Sequence, residues 1–159
     1  MHMQTDATEV SLGSGVSAAW SKVAAFASAV DASLDKWLAD THRVGLTEFR
    51  ALVFVSQSSD KELRVNDLAQ RVGLTQSSAT RLVSRLEAKG FARRDVCEDD
   101  GRGVYAVITE QGEGLLRQVR EPYEGRVREL LDRPSLHFPH LDAGQLGRAL
   151  DEVGAVIGS

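Results

Sequence analysis

Apolar residues along this chain recur in blocks whose spacing changes from helical to strand-like and back. The first dozen residues are polar and, with "SLGSG" at positions 11 to 15, residues 1–15 are expected to be disordered. Val16, Trp20, Val23, Ala27, Val30, Leu34 and Trp37 then follow at alternating steps of four and three, a seam of period 3.5. It predicts a helix from about Val16 to Asp40, about 37 Å long at 1.5 Å per residue. Such a seam fits a core helix of a monomer or a contact with a second chain. "THRVG" interrupts the pattern and "LTEFRALVFVSQ" resumes it, with Leu46, Phe49, Leu52 and Val53 on one face and Thr47 as the expected N-cap.

The units then shorten. "LRV" at 63 to 65 suits a very short strand, and Asn66 is placed to cap a helix from Asp67 to Val72 that Gly73 ends. Thr75 caps the next helix, from Gln76 to Lys89, whose apolar residues Ala79, Leu82, Val83 and Leu86 fall at i, i+3, i+4 and i+7. Two short helices joined by a glycine turn form a helix-turn-helix by spacing. Residues 91–97 and 104–109 are β-rich and flank the polar tip "EDDGRG", which predicts a hairpin. Helical period returns from Glu110 to about Leu131, where Pro122 should kink or split the helix. After the loop "DRPSLHFPHL", Leu146, Leu150, Val153 and Ile157 mark one side of a last helix, Asp142 to Ile157. The fold expected is mainly α with a small β-hairpin wing: a winged helix-turn-helix over 41–109, set in a single domain over 16–159.

Charge alters this picture. The 159 residues carry a formal net charge of −4, which by itself argues against a polyanionic partner. Yet between Arg71 and Arg94 stand Arg71, Arg81, Arg85, Lys89, Arg93 and Arg94 against Glu87 alone. Such a local basic patch is what an electrostatic footprint on phosphate requires, whatever the total. The outward face of the Gln76–Lys89 helix shows Gln76, Ser77, Ser78, Thr80, Arg81, Ser84 and Arg85. Small residues permit close approach to a DNA major groove, amides and hydroxyls read base edges, and arginine grips guanine bidentately. A merely solvated helix more often carries Glu–Lys pairs four residues apart.

The stretch from Leu46 to Leu116 resembles the winged-helix core of the MarR family of bacterial transcription regulators. Three landmarks carry the likeness: the block "VGLTQSSATRLVSRLEAKG", Asp100-Gly101-Arg102 in the wing, and Ile108-Thr109-Glu110-Gln111-Gly112. The resemblance implies that Gln76, Ser77, Ser78, Thr80 and Arg81 face the major groove and that Arg85 holds phosphate. It further implies that Arg102 enters the minor groove and that Asp100 orients it or pairs with a neighbouring arginine. Gly101 departs from the pattern, since many members carry a second arginine there, and "CEDD" makes the tip acidic. A flexible tip with one solvated arginine is the alternative. The resemblance also implies homodimerisation through helices at 16–40 and 110–157, so that two reading helices meet a pseudo-palindrome about one DNA turn, roughly 34 Å, apart. A small aromatic or lipophilic anion is the implied effector. Trp20, Trp37, His42, Phe49 and Phe54 are candidates to line its pocket, although aromatics at helical spacing also serve simple cores.

Other chemistry finds little footing. Cys97 is the single cysteine, which excludes an internal disulfide framework, and the acids beside it disfavour a reactive thiolate. His137 and His140 around Pro139, with His42, do not form a zinc pattern, so neither a metal nor a cofactor is expected. No phosphate loop, dinucleotide fingerprint or nucleophile elbow appears, and the chain is not read as an enzyme. The opening residues lack a basic end followed by an apolar stretch, and no apolar run nears the roughly 20 residues of a membrane span. A cytoplasmic address is therefore expected. Two other classes stay open: a winged-helix module for protein contacts, and an architectural DNA binder of low specificity.

Overall fold

The computed structural model describes residues 15–97 and 103–159. Most of the region expected to be disordered, residues 1–14, lies outside the described residues, as does the tip at 98–102. Among the described residues, seven helices and three strands follow in chain order. α1 spans Val16–His42 and α2 Leu46–Gln57; a 3₁₀ turn at Ser59–Lys61 leads into β1, Glu62–Arg64. α3 is Val65–Val72 and α4 Gln76–Ala88; β2, Ala92–Cys97, and β3, Gly103–Ile108, follow. α5 (Glu110–Asp132), α6 (Pro134–His137) and α7 (Ala143–Ile157) complete the chain.

Contacts group the described residues into two compact units, one within 31–129 and the other formed by 15–30 with 130–159. The first is wider than the 41–109 core expected from sequence, because it takes in the end of α1 and most of α5. Its centre is apolar: Leu38, Val44, Leu52, Val55, Leu68, Ala79, Leu82, Val83, Leu86, Ala106 and Val119 are all essentially inaccessible to solvent. The four apolar residues predicted to line the inner side of α4 are all there. β2 and β3 pair antiparallel from Ala92↔Ile108 to Cys97↔Gly103. β1 joins the other edge of β3 through Glu62↔Val107, Leu63↔Ala106 and Arg64↔Tyr105, giving the order β1-β3-β2.

Polar ties set the angles between these helices. The Asp35 carboxylate accepts from the Leu46 amide at 2.9 Å, so α1 caps the start of α2 from a distance of eleven residues. Arg50 grips Asp31 with both terminal nitrogens, at 3.0 and 2.9 Å. That hydrogen bonding holds the guanidinium pKa above its ordinary value, so Arg50 stays charged at any ordinary pH. Glu48 is buried, and the Lys89 ammonium at the end of α4 compensates it, at 3.1 Å from Oε1 and 2.9 Å from Oε2.

The landmark at 108–112 has a physical basis here. The Thr109 hydroxyl donates to the Gly90 carbonyl at 2.6 Å and accepts from the Gly112 amide at 3.1 Å, while the Thr109 amide donates to the Phe91 carbonyl at 3.0 Å. One side chain thus caps α5 and fastens the turn that ends α4.

Several local expectations are corrected. α2 begins at Leu46 after Gly45, not behind a Thr47 cap, because Asp35 already satisfies the first free amide. α3 begins at Val65, so Asn66 lies within its first turn and does not cap it; Val65 is buried, and that anchorage sets the start. Pro122 does not split α5, which continues unbroken to Asp132. The loop expected after α5 contains the short α6, with Pro134 at its first turn, where a missing N–H costs nothing. Along α1, the expected seam divides. Val30 and Leu34 are buried, whereas Val16, Trp20 and Ala27 are exposed and Val23 is half-buried.

In the second unit, Ala19, Val30, Leu130, Leu146 and Ala149 are buried and Phe26 meets Phe138 edge-to-face at 6.0 Å. The Asp142 carboxylate caps α7 by accepting from Gln145 N at 3.0 Å. Much apolar surface stays open in this unit: Val16, Trp20, Leu131, Leu136, Leu150, Val156 and Ile157 are large and exposed.

Candidate nucleic-acid interface

The candidate interface is the outward side of α4. Gly73 adopts φ +78°, the left-handed turn that stops α3, and its amide is bound by the Ala69 carbonyl at 2.9 Å. Thr75 then caps α4: its Oγ1 accepts from Ser78 N at 3.2 Å and donates to Ser78 Oγ at 3.0 Å. With Ala79, Leu82, Val83 and Leu86 packed inward, Gln76, Ser77, Thr80, Arg81, Ser84 and Arg85 are exposed and Ser78 is half-buried. Arg81 reaches back over one turn to Ser78 Oγ at 3.3 Å. Thr80 and Ser84 spend their hydroxyls on the carbonyls four residues earlier, at 3.0 Å each. Thr75→Ala should lower stability by about 1 kcal/mol, the usual worth of a lost cap, measured as a shift of the denaturant midpoint.

Six of the eight residues read from sequence as DNA-binding therefore share one helix: Gln76, Ser77, Ser78, Thr80, Arg81 and Arg85. Asp100 and Arg102 lie outside the described residues. What sequence reading passed over is Arg94 on β2. Its guanidinium crosses α4, donating to the Thr80 carbonyl at 3.1 Å and to Ser84 Oγ. Its own amide donates to the Glu87 carboxylate at 3.1 Å. Beside it opens a groove of about 580 Å³ lined by Arg64, Asn66, Gln76, Thr80, Arg94, Val96 and Val104 among others. The signal for Arg94 in the sequence was strand alternation: Arg94 and Val96 point to the same side of β2.

The five effector candidates are not gathered into one place. Phe49 and Phe54 line a cavity of about 600 Å³ between α2 and α5, with Arg50, Leu116, Arg120 and Tyr123. The Phe49 and Tyr123 rings lie 4.6 Å apart. Trp37 instead packs against His42, ring centroids 5.3 Å apart, and Trp20 belongs to the other compact unit and is exposed. Among the described residues no three of His, Cys, Asp or Glu gather as metal ligands, and no helix is long and apolar enough to cross a membrane.

Residues 44–103 match the model of the MarR family. Among curated proteins, the HTH-type transcriptional regulator YfiV of Bacillus subtilis is 33% identical over 70 residues, 44% of this chain and 44% of that protein. The transcriptional repressor MprA of Escherichia coli K12 is 27% identical over 84 residues, 53% of this chain and 48% of that one. The chain thus spans about half the length of the curated relatives it matches. Among solved structures, Sco3205 from Streptomyces coelicolor, a MarR family transcriptional regulator in complex with DNA, aligns with a TM-score of 0.69 at 27% identity. That alignment covers 87% of this chain and 82% of Sco3205. AbsC, a MarR family regulator from the same organism, gives 0.68 at 25% identity over 99% of this chain and 97% of its own.

Proposed function

From the premise that this chain is a MarR-family winged-helix protein, we propose that it is a cytoplasmic transcriptional regulator that binds a pseudo-palindromic operator as a homodimer and represses until an effector releases it. The observation that carries the reading is the outer face of α4, exposed and built of short donors and acceptors with Arg81 at its centre. In this reading Gln76, Ser77, Ser78, Thr80 and Arg81 meet base edges, Arg85 meets phosphate, and Arg102, oriented by Asp100, enters the flanking minor groove. Dimerisation is supported by the apolar surface that the chain leaves open on α1, α6 and α7: Val16, Trp20, Leu136, Leu150, Val156 and Ile157. One reading helix alone specifies few base pairs, and a two-fold pair doubles the site.

The cavity between α2 and α5 supports an effector that is small, aromatic and anionic. Phe49 and Tyr123 offer ring faces and Arg120 offers positive charge, Arg50 being already paired with Asp31. Release requires that the effector bind the DNA-free arrangement more tightly, since equal affinity for both arrangements shifts nothing.

A gel-shift titration against the DNA upstream of its own coding region tests the reading, with non-specific competitor at two salt concentrations. Retention of that DNA against competitor is the expected result. Binding that depends on salt alone would make the protein architectural, and no binding would make it a protein-contact module.

A further inference from the structure

Arg94 and the groove beside it point to a contact that the outer face of α4 does not make. The groove runs between the first two turns of α4 and the β2–β3 hairpin. It has a mixed lining: the cation of Arg94 (Arg64 is already engaged with Tyr105), the polar edges of Asn66, Gln76 and Thr80, and the exposed cross-strand pair Val96 and Val104. Val96 is 62% exposed and Val104 39%, and as cross-strand partners they form one small apolar patch. A sugar–phosphate strand has the matching alternation, with anionic oxygens and the apolar edges of deoxyribose. Protein carboxylates on a flexible chain would satisfy Arg94 and leave the valines uncovered.

We propose, resting on the DNA-binding reading above, that this groove seats one sugar–phosphate strand of the duplex, with Arg94 as its phosphate contact and Val96 and Val104 against the sugars. Both bonds from Arg94 to α4 leave from one terminal nitrogen, so among the described residues the other N–H groups of the fork stay available for phosphate oxygens. The guanidinium is held in place before DNA arrives. Arginine otherwise gives up much rotamer freedom on binding, and this fixation lowers that cost. Glu87 contributes indirectly, because its carboxylate anchors the Arg94 backbone to α4.

The test is the salt dependence of binding to a random-sequence duplex, where only phosphate contacts count. Arg94→Ala should weaken binding roughly tenfold and lower the slope of log K against log salt by about one. The same loss should appear on operator DNA. Arg94→Lys, which keeps the charge without the fork, should restore the slope and only part of the affinity. Val96→Glu leaves Arg94 intact and places an anion in the groove; it should weaken binding by at least as much, and it serves should Arg94→Ala fail to fold. Unchanged affinity and slope in Arg94→Ala, or full binding by Val96→Glu, overturns the seat. So does a loss confined to operator DNA at constant slope. Failure of the wild-type protein to bind any duplex would instead remove the regulator reading itself.

Discussion

Arg81→Ala should lower affinity for the cognate operator by roughly 10- to 100-fold while leaving binding to random DNA nearly unchanged. The range is that of one bidentate arginine–guanine contact, about 1–3 kcal/mol. Arg81 is exposed in the second turn of α4, on the side away from Leu82 and Leu86, and its sole side-chain tie among the described residues is the 3.3 Å bond to Ser78 Oγ. Losing that exposed bond costs little stability, so the folded fraction should not change and the effect should appear in binding alone. Paired titrations on operator and random duplexes measure it. Equal loss on both would demote Arg81 to a phosphate contact, the behaviour expected of Arg94. The two arginines are therefore predicted to give opposite patterns: Arg81 changes specificity at constant salt slope, and Arg94 changes the slope without changing specificity.

The largest effect on stability should come from Gly112→Ala. In a helix interior, replacing glycine by alanine normally gains about 1 kcal/mol from propensity. Here a Cβ would stand 2.2 Å from the Phe91 carbonyl oxygen and 2.8 Å from a side-chain carbon of Ile108. The obstacle is backbone, and Phe91 is held by its bond to the Thr109 amide, so nothing nearby can give way cheaply. Overpacking therefore outweighs propensity, for a net loss of about 3 kcal/mol. In a chain of this size that corresponds to a melting temperature lower by roughly 9 °C. An unchanged or raised melting temperature would show that the turn between α4 and β2 yields freely. Because Gly90 and Phe91 also end α4, the variant should weaken DNA binding as a secondary effect.

The reading of the candidate site divides by the range of the interactions involved. α4 was legible because everything defining it is local: the Thr75 cap, the period of Ala79, Leu82, Val83 and Leu86, and the polar remainder. Arg94 was passed over because its role depends on a strand folding back across that helix, seventeen residues or so after Thr75, and on which side of β2 faces it. The caps at Thr47 and Asn66 were misplaced for a related reason. Asp35 satisfies the start of α2 from another helix, and the burial of Val65 draws α3 two residues earlier. No local signal records either. The aromatic candidates scattered likewise, since helical spacing says that a side chain lies on a face and not which neighbour that face meets.

Residue order by itself determined the types of all the elements but the short α6 and the 3₁₀ turn, the inward face of α4, the glycine turn after α3 and the basic stretch from Arg71 to Arg94. These follow from hydrogen bonding and periodicity within one turn or one strand of the chain. Only the tertiary structure decided that β1 pairs with β3, that Glu48 is buried against Lys89, that Arg94 is bound to α4, and which apolar residues of α1 stay exposed. The pairings among them join residues from ten to more than forty positions apart. Their energies appear only when distant surfaces meet and exclude water, and so no window of sequence contains them.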